Sequence, residues 1–162
     1  TRDRWTGQIL SRGRRHILGP SFNDQPCSPM EERKLELETP HAWIERTGPL
    51  VIQRWKPGIT LNVPTIRATM LARHEFLGDE PYVMIVVVPE GTAFAMSFLE
   101  NDQYAGTTVE DRIIAMANVV EETDVRAIVS LYYAQHPPDY QHGVFASMAE
   151  AHAWVMERLA ER

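Results

Sequence analysis

The chain has 162 residues, 44% of them hydrophobic and four of them Trp, enough for one domain with a core, which excludes global disorder. No apolar run approaches the roughly 18 residues that cross a bilayer; the longest, residues 82–89, has the length of a strand. The net charge is −6, unevenly spread: residues 1–30 carry +3 and residues 35–162 carry −9. An acidic domain repels a phosphate backbone, so nucleic acid is not an expected partner. The basic segment could touch an anionic surface, but a disordered leader explains it more simply. No signal-peptide pattern opens the chain, and the single cysteine, Cys27, has no partner for an internal disulfide. A cytoplasmic protein without a membrane span is therefore expected.

Residues 1–34 show no sustained period, are broken by Gly7, Gly13, Gly19, Pro20, Pro26 and Pro29, and are expected to form a flexible basic extension. The domain is expected to run over 35–162. Residues 35–39, 41–46 and 50–55 alternate apolar with polar around the turn signal Thr47-Gly48-Pro49, which predicts short strands. Asn62 as cap and Pro64 in the first turn announce a helix to Leu77, with Gly78 as its stop. Residues 82–88 are apolar without alternation, as in a strand covered on both faces. Residues 94–99 fit either a short helix or a loop with inward aromatics.

From Thr107 or Thr108, with Glu110 and Asp111 in a first turn and Ile113, Met116, Ala117 and Val120 on one face, a helix is expected to about Glu122. The β-rich run 125–133 predicts a strand, broken at His136-Pro137-Pro138-Asp139. Val144-Phe145 predicts a minimal edge strand. Ser147 with Glu150 forms a capping box for the last helix, whose apolar stripe holds Met148, Ala151, Trp154, Val155 and Leu159. The expected fold class is α/β, a single mixed β-sheet of about four to six strands packed with three or four helices.

A β-rich run at 125–133, a Pro-rich turn, then a short strand at Val144-Phe145 entering a helix through Glu150-Ala151 and Trp154 resembles the C-terminal part of small STAS-like domains, the fold of anti-sigma-factor antagonists and related bacterial proteins. The resemblance covers about a quarter of the chain well. It implies a sheet of four or five strands with helices, and dimers or partner complexes, sometimes regulated by phosphorylation. This chain departs from the phosphorylated regulators, because neither Thr92 nor Ser97 stands in an Asp-x-Ser turn.

Catalytic motifs are sparse. There is no G-x-x-x-x-G-K-[ST], G-x-G-x-x-G or H-E-x-x-H. His136, Asp139 and His142 could reach one metal, but a solvated turn explains them as well, and no cofactor or metal is expected. Ser130 is expected mid-strand without a nucleophile elbow. Arg73 and Arg112 could form an anion-binding patch, or pair with Glu75, Asp79 or Asp111 as a surface network. Tyr132, Tyr133, His136 and Tyr140 cluster around the Pro-rich turn and, as exposed aromatics, are the leading candidates for an interface. The preferred expectation is a non-enzymatic regulatory or scaffolding domain that binds a protein partner or forms a homodimer. The alternatives are a small-molecule or lipid-binding domain with a pocket between the sheet and the helix at 64–77, and an unrecognised enzyme using His136, Asp139 and His142 or the Arg73/Arg112 pair.

Overall fold

The computed structural model describes residues 33–162; most of the expected basic extension, and Cys27 with it, lies outside the described residues. The chain from there is α/β. Its main sheet has six strands: β1 (Lys34–Glu38), β2 (Ala42–Thr47), β3 (Leu50–Trp55), β5 (Tyr82–Val88), β7 (Ile113–Val120) and β8 (Gln141–Phe145), in the order β1-β2-β3-β5-β7-β8. The first three strands are antiparallel, joined by tight turns, and the rest run parallel to β3. Two minimal strands, β4 (Thr60–Leu61) and β6 (Ala93–Phe94), pair in parallel beside it. Parallel strands need crossovers, which usually carry helices. α1 (Val63–Leu77) follows β4, α3 (Thr123–Gln135) links β7 to β8, and α4 (Met148–Ala160) ends the fold, with a single-turn α2 (Ser97–Glu100) between β6 and β7.

The sequence signals for α1 work as written. Asn62 Oδ1 accepts from Thr65 N–H at 2.9 Å, and Pro64 stands in the first turn. Gly78 ends the helix at φ 68°, ψ −150°, with its N–H donated to the His74 carbonyl. That backbone region is almost closed to residues with a Cβ. Ser147 caps α4 by accepting from Glu150 N–H and donating to Glu150 Oε2 at 3.0 Å.

Two expected elements are exchanged. Residues 113–120 form the strand β7, and the expected helix there shrinks to a 3₁₀ turn at Glu110–Arg112. Residues 125–133, the expected strand, lie in α3. The reason is visible in burial. Val125, Ile128, Val129, Tyr132 and Tyr133 recur at helical spacing and face inward, while Ser130 and Leu131 stay exposed. Strand β7 is buried on both faces, so its apolar residues need no alternation. The strand on which the STAS-like resemblance rested is therefore a helix. The short strand entering α4 is present, and Phe145 packs on Trp154 with ring centres 5.5 Å apart.

The two faces of the sheet are filled differently. On one, Ala115 and Ala117 of β7 let α4 sit close, and Ala151 and Val155 pack against them with Val83 and Ile85. On the other, α1, α3 and the 94–104 segment cover Ala42, Ile44, Val51, Trp55, Met84, Val86 and Met116. Arg46 ties the second layer down: its Nη1 donates to Leu77 O at 2.8 Å, its Nη2 to Glu80 Oε2 at 2.6 Å and its Nε to Gly48 O.

A Cβ at position 78 meets nothing within 4 Å, so Gly78→Ala is opposed by backbone conformation alone. The variant is expected to lose about 1–3 kcal/mol of stability in urea unfolding, with an unchanged dependence on denaturant. No loss would show that the turn relaxes without cost.

Candidate functional site

The face covered by α1 and α3 encloses a pocket. Its floor comes from three adjacent strands: Gln53 and Trp55 of β3, Val86 and Val88 of β5, Met116 and Asn118 of β7. Gln53, Val86 and Asn118 lie in one row across the sheet, because Gln53 pairs with Val86 and Val86 with Asn118. Ile66, Met70 and Arg73 of α1 stand at i, i+4 and i+7 and form one wall. Val129, Tyr132 and Tyr133 of α3 form the other, and Phe94, Phe98, Gln103 and Tyr104 close the end. Ile66, Phe94 and Tyr104 are half-buried and mark the side nearest solvent. The open volume inside is about 70 Å³. At roughly 10–15 Å³ per water, that is space for about five to seven waters or a ligand with a similar number of heavy atoms.

The polar groups around this pocket are few and buried. Arg73 is 2% exposed and Gln103 1% exposed. Arg73 Nη1 donates to Gln53 Oε1 at 2.9 Å, while its Nε and Nη2 have no hydrogen-bond partner among the described residues. Arg73 is also the one charged residue of the lining, and no described carboxylate pairs with it. Burial works against its charge, but the facing phenols of Tyr82 and Tyr104 prevail and its pKa is raised, so the guanidinium remains charged. Gln103 is clamped: its Nε2 donates to Phe98 O at 3.1 Å and Asn101 O at 3.0 Å, and its backbone N–H donates to Tyr132 Oη. Its Oε1 is buried without a donor.

The remaining polar atoms satisfy one another. Asn118 Nδ2 donates to Tyr133 Oη at 3.0 Å, and Tyr133 donates to Met116 Sδ at 3.3 Å. The Phe98 ring stacks on Tyr132 with centres 4.8 Å apart. Burial pushes the phenols of Tyr132, Tyr133 and Tyr140 well above their ordinary range. They stay neutral at physiological pH.

The expected site residues separate accordingly. Tyr132, Tyr133 and Tyr140 are buried and face the interior, so they present no aromatic surface to a partner. On the α3 helix, Tyr132 and Tyr133 both turn inward, which consecutive residues of a strand cannot do. His136 is half-buried and bonds through Nε2 to Leu99 O at 2.8 Å. His142 stacks on Tyr133 instead, with ring centres 4.4 Å apart, and burial holds its pKa below the ordinary value. Among the described residues no three His, Cys, Asp or Glu side chains are grouped to hold a metal, and His136, Asp139 and His142 form no such cluster. Arg73 and Arg112 are not brought together as a patch: Arg73 is buried in the pocket, while Arg112 bonds Gly78 O at 2.7 Å and pairs with Asp79, one of its expected partners. Ser130 is exposed on α3, and Thr92 Oγ1 donates to Pro89 O.

Gln53, Asn118 and Gln103 went unnoticed in the sequence. The first two carry a signal: a neutral amide stands where the apolar pattern of a strand assigns a core position. Gln103 carries none, because its burial depends on the fold of an irregular loop. Comparison with protein-family models, curated proteins and solved structures found no match. Among the described residues no helix is long and apolar enough to cross a membrane.

The buried phenols set an alkaline limit on stability. An unfolded tyrosine ionises near 10, whereas Tyr132, Tyr133 and Tyr140 hold their protons in the folded state. Their contribution is constant below that pH and is lost above it, where the unfolded chain binds fewer protons. Ultraviolet titration should therefore show part of the tyrosine absorbance change arriving only together with the loss of circular dichroism. Full ionisation of all five tyrosines in a still-folded protein would contradict this burial.

Proposed function

We propose that this domain binds a small anionic molecule in the pocket between the sheet, α1 and α3. The observation that carries the reading is the Arg73 guanidinium, a buried charge among the residues that line the pocket, with Nε and Nη2 unpaired among the described residues and no described carboxylate beside it. An isolated buried charge costs several kcal/mol, and water can satisfy its donors without balancing the charge. A ligand oxyanion would do both. The pocket is the kind of preformed apolar cleft with a few fixed polar groups that small-molecule sites use. The absence of a second charged side chain in the lining supports binding over acid–base catalysis. The contact role expected from the STAS-like resemblance has less behind it, because the tyrosines meant to supply the contact line or support the pocket.

Acetate or propionate, titrated against chloride at constant ionic strength, is expected to raise the thermal unfolding midpoint in a saturable way. Arg73→Met should bind at least about thirtyfold more weakly, as for other truncated buried charge pairs. Met70→Phe, which fills the pocket and leaves Arg73 in place, should lose the response as well. An equal response in the wild-type chain and both variants would mean a general salt effect and remove this reading.

A further inference from the structure

Resting on the pocket reading above, we infer that Gln53 is the residue that sets the charge selectivity of the pocket. It gives the buried Arg73 a hydrogen bond without a counter-charge, and so favours an anion over a neutral molecule of the same shape. Gln53 is 2% exposed on the interior strand β3, in register with Val86 of β5, and its Oε1 accepts from Arg73 Nη1 at 2.9 Å. A guanidinium has donors only, so the amide must turn its oxygen, and not its nitrogen, to Arg73. A glutamate in the same rotamer would put a carboxylate oxygen at that place and close a charged pair. The amide has nearly the same shape, satisfies the same donor and leaves the positive charge unbalanced.

The rest of the lining does not supply that balance. Its other polar side chains are the amides of Gln103 and Asn118 and the phenols of Tyr104, Tyr132 and Tyr133. The amides carry no charge, and burial keeps Tyr132 and Tyr133 protonated. None of the ion pairs among the described residues includes Arg73. Residue 53 is the position where exchange of an amide for an acid would neutralise the guanidinium through a hydrogen bond already in place.

Selection by charge needs no fixed contact between ligand and guanidinium. The open space is about 70 Å³ and Arg73 belongs to its lining, so an anion inside it sits near the charge in a largely apolar surrounding, where Coulomb attraction is strong. Acetate and acetamide share shape and size and differ in charge. With glutamine at position 53 the pocket attracts acetate. With glutamate there, the pocket is neutral and returns nothing to the anion for its lost hydration.

The test titrates acetate and acetamide calorimetrically, at constant ionic strength, into the full wild-type chain, Gln53→Glu and Gln53→Met, with thermal unfolding of each. The wild-type chain should bind acetate more tightly than acetamide. Gln53→Glu should weaken acetate at least about thirtyfold, leave acetamide little changed, and unfold at a higher midpoint than Gln53→Met. Gln53→Met, which removes the hydrogen bond and keeps the net charge, should retain the preference for acetate. A residue that only shaped the pocket would change both ligands alike. Should Gln53→Met fail to fold, the comparison of the wild-type chain with Gln53→Glu still decides. A preference kept in Gln53→Glu or lost in Gln53→Met, or a Gln53→Glu chain that does not fold, overturns the role of Gln53 and leaves the anion pocket standing. A wild-type chain that binds no acetate, or binds it no better than acetamide, overturns both.

Discussion

Burying the Arg73 guanidinium under α1 costs several kcal/mol unless the surroundings return it, and the described protein returns one hydrogen bond, from Gln53. Much of the arrangement on this face follows from that charge. A polar residue must stand inside the sheet at position 53 to meet it. The helix must present residue 73 on the same stripe as Ile66 and Met70, and the side chains around it close over Nε and Nη2 without giving them a partner among the described residues. Where the core could have been finished with another apolar residue, a cavity with a fixed positive charge is kept instead. Buried polar groups that cost stability and lack internal partners are the expected mark of a site shaped for something else.

The opposite face shows what the same sheet looks like without such a demand. Ala115 and Ala117 admit α4 closely, and Ala151 and Val155 of that helix are fully buried in one cluster with Val83 and Ile85. Fixed in this way, the parallel strands β5 and β7 form a firm floor, and the pocket side can tolerate space. The segment 94–104 completes the contrast. It carries little regular structure, yet Phe98, Gln103 and Tyr132 lock it through a ring stack and the bonds of the Gln103 amide. Loops positioned by a rigid scaffold are where ligand contacts concentrate.

Much of the fold was legible in the chain, for local reasons. The β1–β2–β3 meander, α1 with its Asn62 cap and Gly78 stop, the apolar strand at Tyr82–Val88 and the Ser147 capping box are all short-range signals, and each does in the structure what its chemistry implies. The exchange between residues 113–120 and 123–135 has a physical origin. Ile113, Met116, Ala117 and Val120 satisfy a helical period, but a strand buried on both faces satisfies any period. The acidic first turn at Glu110 and Asp111 went into a 3₁₀ turn. In α3, β-branched and aromatic residues suggested a strand, whereas their spacing of three and one marked a helical stripe, and packing followed the spacing. The pocket between the sheet and α1 was foreseen as a place, but not its chemistry. Arg73 stood out by residue type, and its burial could not be separated from an exposed position without knowing that Gln53 faced it.

The most direct measurement is the side-chain Nε–Hε resonance of Arg73 in a nitrogen–proton correlation spectrum, assigned by its disappearance in Arg73→Met and followed as acetate is added at constant ionic strength. If the pocket holds an anion on the unpaired edge of the guanidinium, that proton should shift strongly downfield, saturate, and become protected from exchange with water. A resonance that stays unperturbed while acetate is raised to saturation of any other response would contradict the account.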